Sequence, residues 1–227
     1  MIDRTGRTVI ASTVFMDIVG YSKSSVSRQM AMKARLNEHI ASAVARLSAE
    51  ERIILDTGDG VALCFLGDPE DALFVATAVG DKVRKETGEA AQTLRTGIHL
   101  GPVKLVIDLN GQENVVGDGI NVAQRIMSFA GDDEILVSRA YYEVVARLDA
   151  ANEKLFSYLG TKKDKHVREH QVYAFSLHSA EPGEPPVQDR EHRRSEPVAA
   201  ETEGRTADAG SAGILTEDLL VAEERRL

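Results

Sequence analysis

The stretch "ILDTGDGVALCFLG", Ile54–Gly67, places two short apolar runs on either side of Thr57-Gly58-Asp59-Gly60. Glycine, aspartate and threonine between β-branched and aromatic residues are turn chemistry, so the segment reads as a β-hairpin with "RIILD" and "VALCFLG" as its strands. The acids are the feature to explain. Asp59 sits at the tip of an otherwise oily hairpin, and the same Gly-Asp-Gly returns at Gly117–Gly119 in "VVGDGINVAQR".

Outward from the hairpin the chain alternates between strand and helix periods. "TVIASTVFMD" predicts a buried strand, and "VSRQMAMKARLNEHIASAVARL" carries Met32, Leu36, Ile40, Ala43, Val44 and Leu47 at helical spacing. "PEDALFVATAVGDKVRKETG" opens with Pro69 and two acids and stops at Gly88, which predicts a second helix. "LRTGIHLGPVKLVIDLNGQENVVG" predicts two strands about Gly101-Pro102 and then a turn at Asn110-Gly111. "GINVAQRIMSFAG" predicts a helix closed by Gly131, and "EILVS" a strand. The order β-α-β-β-α-β-β-α-β predicts an α+β domain with helices packed on a largely antiparallel sheet.

Composition narrows the partners. A chain of 227 residues with 43% apolar content can bury a full core. Its one cysteine, Cys64, allows no internal disulfide and reads as a core residue, which predicts a reducing, cytoplasmic compartment. No apolar run of spanning length is present, so no membrane partner is expected. The net charge of −9 predicts no nucleic-acid partner either. Residues 178–227 hold twelve acids against six arginines and no lysine, with four of the six prolines and no Phe, Trp or Tyr. That segment has too little to bury to offset its ordering entropy, so the domain is expected to span 1–177 and the tail to be disordered. Its end, "ILTEDLLVAEERRL", regains a helical pattern, as a transient helix or a docking peptide.

Asp17, in "VFMDIVGYS", closes the first strand, with Gly20 turning the chain and Tyr21-Ser22 expected to open the next helix. A strand-end acid beside a glycine turn and a helix start can hold a metal-bound polyphosphate or can simply cap the helix. Asp59 can be an ordinary turn residue. If the hairpin lies beside the first strand, both tips reach one end of the sheet. The two carboxylates then converge and can hold a pair of hard divalent cations.

"FMDIVGYS", "TGDGVALCF", "LRTGIHLGPV" and "VVGDGINVAQRI" together resemble the catalytic domain of the class III nucleotide cyclases, over Thr8 to Phe175. The resemblance implies a ferredoxin-like α+β fold and a head-to-tail homodimer whose two sites are each built from both chains. It implies a nucleoside triphosphate substrate and two Mg2+ or Mn2+ ions held by Asp17, the carbonyl of Ile18, and Asp59. Ile18, Gly20, Tyr21 and Ser22 match the loop around the β- and γ-phosphates, and Arg95 matches a phosphate-binding arginine. From the partner chain, Asn121 would position the ribose and Arg125 would stabilise charge at the reacting phosphate. A last phosphate-binding lysine is expected among Lys162, Lys163 and Lys165. Asp118 reads as a cap or turn residue.

Two positions depart from the purine cyclases. Where adenylate-making relatives carry Lys and Asp as base readers, this chain has Leu55 and Asn114. Leucine donates no hydrogen bond, and asparagine offers a donor and an acceptor without charge. In this loss the chain resembles the stand-alone pyrimidine cyclases of bacterial Pycsar anti-phage systems. The resemblance then implies UTP, or CTP, as substrate and a cyclic pyrimidine nucleotide as second messenger, with Arg52 or Glu51 filling the space of a smaller base. A purine cyclase with other readers and a non-catalytic module of the same fold are the alternatives. His166 and His170 read as solvated surface residues and His99 as a packed strand residue.

Overall fold

The computed structural model describes residues 5–177; the segment 178–227 and its expected terminal helix lie outside them. Strand β1, Thr8–Ile18, is buried without interruption from Ala11 to Ile18. A strand covered on both faces must lie inside its sheet with helices above and below. The remaining elements are α1 (Val26–Val44), β2 (Arg52–Asp56), β3 (Gly60–Phe65), α2 (Glu70–Arg84), β4 (Leu94–Ile107) and β5 (Glu113–Val116). They continue with α3 (Asp118–Ser128), β6 (Ile135–Ser138), α4 (Arg139–Val145), α5 (Ala150–Glu153), β7 (Phe156–Lys163) and β8 (Glu169–Phe175). The strands form one eight-stranded sheet in the order β2-β3-β1-β4-β6-β8-β7, with β5 paired to β4. All pairings are antiparallel except β4 with β6. The expected α+β class and largely antiparallel sheet are therefore present.

Alternation along β1 assigns the two faces. Val14, Met16 and Ile18 enter a core with Met32 and Leu36 of α1, Val75 and Val79 of α2, and Tyr141 of α4. Phe15 points the other way, onto Ala123 and Met127 of α3. α3 lies nearly on bare backbone: a Cβ at Gly97 would come 2.1 Å from the Met127 nitrogen. Gly60 has the same role between strands, since a Cβ there would lie 2.0 Å from the Met16 carbonyl oxygen. Only glycine lets β3 close against β1 at this point.

Three expectations need correction. β4 is one 14-residue strand, not two about Gly101-Pro102. Pro102 is tolerated because β6 pairs only with Thr96 to Ile98 and β5 only from Lys104 onward, which leaves one edge of β4 open at the proline. Tyr21-Ser22 do not open α1. A short 3-10 turn, Tyr21–Lys23, intervenes, and α1 starts at Val26 with the Ser25 side chain accepting from Arg28 N–H. The expected order also stopped at β6, whereas α4, α5 and the β7–β8 hairpin complete the sheet. Among the described residues no helix is long and apolar enough to cross a membrane.

Gly97→Ala should force α3 off the sheet. The expected cost is about 1–3 kcal/mol, the usual penalty of overpacking, read as a lower urea midpoint. An unchanged midpoint would show that α3 does not rest on β4 as described.

Candidate active site

Asp17 is the penultimate residue of β1, with Gly60 of β3 opposite on one side and Arg95 of β4 on the other. Arg95 Nη2 donates to Asp17 Oδ2. The other oxygen, Oδ1, is buried with no hydrogen-bond partner. Asp59 is delivered to the same place by backbone pairing, because the Ile18 N–H donates to the Asp59 carbonyl at 3.1 Å. The convergence expected from the sequence occurs. Burial is the largest influence on the Asp17 carboxyl and pushes its pKa up; the Arg95 hydrogen bond opposes this, and the neighbouring Asp59 charge reinforces it, so the net direction is upward.

These groups fit a divalent cation. A buried acceptor without a donor costs about 1–3 kcal/mol, and two like charges at one strand end add repulsion. A cation between them would relieve both, and carboxylate oxygens suit Mg2+ or Mn2+. Among the described residues no three His, Cys, Asp or Glu side chains form a group that could hold a metal ion. Ions held by this pair of acids would keep positions for outside oxygens, such as phosphate.

Ile18 buries its side chain in the core, so at this end of β1 it offers only backbone. Gly20 turns the chain at φ 72°, Tyr21 packs partly against the core, and Ser22 is exposed. The loop thus lies between Asp17 and the start of α1.

Asn121 and Arg125 share one face of α3, as their spacing requires, and line a cleft of about 320 Å3 with Asp118, Val122, Asp164, His166, Arg168 and His170. Arg125 Nε lies 3.9 Å from Asp164 Oδ2. Asp164 is the hub of the β7–β8 turn: it accepts from the backbone N–H groups of His166 (2.8 Å) and Arg168 (3.0 Å), and His170 Nε2 lies 3.1 Å away. Desolvation works to raise its pKa, but the His170 and backbone hydrogen bonds prevail and hold it at about 2. None of Asp17, Asp59 and Arg95 lines this cleft. Ala123 and Met127 pack on Phe15 and Ala62, while Val122 and Ile126 pack on Leu136 and Val172. One chain therefore presents its two acids and its Asn121/Arg125 pair separately.

Solved structures of similar architecture are cyclase domains. The guanylate cyclase domain of RhGC from Catenaria anguillulae, in complex with GTP, is 21% identical, with a TM-score of 0.62 over 75% of this chain and 98% of that one. The adenylyl cyclase CyaB from P. aeruginosa is 17% identical with a TM-score of 0.58, over 78% of this chain and 98% of its own. A cyclase from Silicibacter pomeroyi, described as adenylate/guanylate cyclase/hydrolase, is 22% identical with a TM-score of 0.58, over 74% and 97%. The chain has the fold of a class III nucleotide cyclase catalytic domain. In sequence it matches no protein-family model and no curated protein.

Within this cyclase fold the two proposed base-reading positions differ in character. Leu55 packs with Ile120 and Ala62 and is apolar throughout. Asn114 spends its Oδ1 on the Val115 N–H at 2.7 Å, which leaves its amide N–H groups to donate. Arg52 is placed elsewhere. It pairs with Phe65 on the face opposite Leu55, and its Nη1 caps the end of α1 through the carbonyls of Val44 (2.6 Å) and Leu47. Glu51 belongs to the 3-10 turn before β2, at the end remote from Asp59. Neither is positioned to fill space beside Leu55.

The lysines of the β7–β8 region do not line the cleft. Lys163 pairs with Glu169 at 3.3 Å, Lys162 is half-buried on β7, and Lys165 is exposed in the turn. Arg168 and His166 face the cleft instead, with Arg168 bonded to both oxygens of Asp118 at 2.8 and 2.9 Å. Asp118 is the first residue of α3, where its charge suits the helix dipole, but Gly117 holds the cap position. His170 corrects the solvated reading: it is buried against Asp164 and Phe129. Asp164 was legible in principle, since an aspartate opening "DKHVR" is an Asx-turn signal. Its link to Arg125 was not. Cys64 is buried in the core beside Thr13, and its thiol is pushed up to about 11 by burial.

His99 packs on β4 with Nδ1 2.8 Å from Ser138 Oγ, and burial drives its pKa down from 6.5 to about 4. The unfolded chain takes a proton near pH 6.5 that the folded chain refuses until about pH 4. Stability is thus lost as pH falls through that window, by on the order of 3 kcal/mol. His99→Gln should flatten the urea-stability profile between those pH values relative to wild type. Parallel profiles would refute the assignment.

Proposed function

We propose that the protein is a nucleotide cyclase, converting a nucleoside triphosphate to its 3′,5′-cyclic monophosphate and pyrophosphate as a head-to-tail homodimer. The observation that carries this reading is the buried Asp17 carboxylate, one oxygen unpartnered, set against Asp59 and Arg95 at joined strand ends. Asp17, Asp59 and the Ile18 carbonyl would hold two divalent cations, Mg2+ or Mn2+, which when bound acidify the ribose 3′-hydroxyl and offset charge on the leaving pyrophosphate. Arg95 turns its guanidinium from Asp17 to the substrate phosphates, and the Gly20–Ser22 segment borders them. The 3′-hydroxyl gives its proton to solvent and its oxygen bonds to the α-phosphorus as the bond to the bridging oxygen breaks, with pyrophosphate as the leaving group. Asn121 of the partner chain orients the ribose, and Arg125 of the same chain meets the charge growing at the α-phosphate. The separation of the acids from Asn121 and Arg125 within one chain supports a site shared between two.

For the base, the reading is a pyrimidine, UTP ahead of CTP. Leu55 gives an apolar wall, and the Asn114 amide donates to an acceptor such as uracil O4. A cyclic pyrimidine nucleotide serving as a second messenger of anti-phage defence is the corresponding biological role.

Purified protein with Mn2+ and each of ATP, GTP, CTP and UTP should yield a cyclic product from UTP, identified by mass. A purine product alone would overturn the base assignment, and no product from any of the four would overturn the enzyme reading. Asp17→Ala and Asp59→Ala should each lower turnover by at least about 100-fold without loss of helical circular dichroism. Mixing Asp17→Ala with Arg125→Ala chains should restore about a quarter of wild-type activity, because half the dimers are mixed and each holds one intact site. No recovery would exclude the shared site.

A further inference from the structure

We infer that Lys33, a residue of α1 outside the nucleotide contacts, is a positioning residue that sets Asp59 against Asp17. The inference rests on the cation-binding reading of those two acids. Lys33 is only 14% exposed, and its ammonium lies 2.9 Å from Asp56 Oδ1 and donates to the Gly60 carbonyl. Those are the two ends of the turn that carries Asp59. The same groups organise the turn internally: Asp56 Oδ1 accepts from the Gly58 N–H at 2.7 Å, and the Gly60 carbonyl accepts from the Thr57 N–H at 3.3 Å.

Asp59 itself is exposed, and the turn passes through Gly58 at φ 88°, so local sequence gives the carboxylate little stiffness. What fixes it is external. α1 is anchored in the core by Met32 and Leu36, on either side of Lys33 along the chain, so the ammonium is held by a rigid element. From there the linkage runs through the turn to the Asp59 carbonyl, which accepts from the Ile18 N–H, one residue beyond Asp17. An ammonium has three donors, enough to grip both ends of the turn at once. The strand pairing brings Asp59 to the right end of the sheet, and Lys33 holds the turn in one conformation there.

The test uses the full-length chain with Lys33→Met, which keeps an unbranched stem, and Lys33→Arg, which keeps the charge. Two readouts are taken: hydrogen exchange of the Ile18 amide, and Mn2+ affinity without nucleotide from the free-ion electron paramagnetic resonance signal. Lys33→Met should speed Ile18 exchange about tenfold and weaken Mn2+ binding about 10–100-fold, the range usual for residues that orient a metal ligand. Lys33→Arg should restore most of both, and Asp17→Asn should abolish Mn2+ binding. Unchanged exchange and affinity in Lys33→Met would overturn the inference. If that variant does not fold, Asp56→Asn loosens the same turn from its other side and must show the same pair of effects. Faster Ile18 exchange in Lys33→Met with no Mn2+ binding by wild type would overturn the cation reading while leaving the tether established.

Discussion

The register of β1 against β3 is the constraint on which the rest depends. Asp17 faces Gly60 across the strand pair, and no other residue at position 60 leaves room for the Met16 carbonyl. A shift of one residue would turn Asp17 into the core of α1 and α2 and move Asp59 off the end of β1. The register is held by apolar alternation along the whole pair, from Val14 and Leu63 to Met16 and Val61, so a large buried core fixes the placement of two carboxylates that by themselves oppose it. Asp17 is kept buried and incompletely partnered by that core. Such local frustration in an otherwise consistent structure is the usual mark of a functional site.

α3 is the second organising element. Gly97 and Gly119 allow it to lie directly on β4, and its two apolar flanks then grip different strands. Asn121 and Arg125 project from a face that meets the β7–β8 turn, where Asp164, His170 and Arg168 line the same cleft. The fold separates the groups that would meet the cations from the groups that would meet the sugar and the reacting phosphate. That separation is the ground for proposing a site shared between two chains.

Much of this was legible in the chain. Short apolar runs bounded by turn residues located β1, β2 and β3 nearly to the residue, and helical spacing located α1, α2 and α3, because β1 and β3 are buried on both faces and each helix buries one stripe. The strand expected to break at Gly101-Pro102 did not, since proline interrupts a ladder only where both edges are paired. The last third was less readable: α4 and α5 are short, and the stacked Tyr142 and Tyr173 that help hold β8 come from distant segments. Arg52 was misplaced for a related reason. Strand alternation already puts it on the face opposite Leu55, and what the sequence does not show is that the carbonyls of Val44 and Leu47 claim it.

The sequence by itself determined the α+β class, the hairpin, the acids at strand ends and the shared helix face of Asn121 and Arg125, because these depend on spacing over a few residues. Only the tertiary structure decided that Asp17 and Asp59 meet, that Arg95 sits on the first of them, that His170 is buried against Asp164, and that Lys33 reaches the Asp59 turn. All but the His170–Asp164 contact join residues far apart in the chain, and they depend on which strands pair and in what register, which no local pattern encodes.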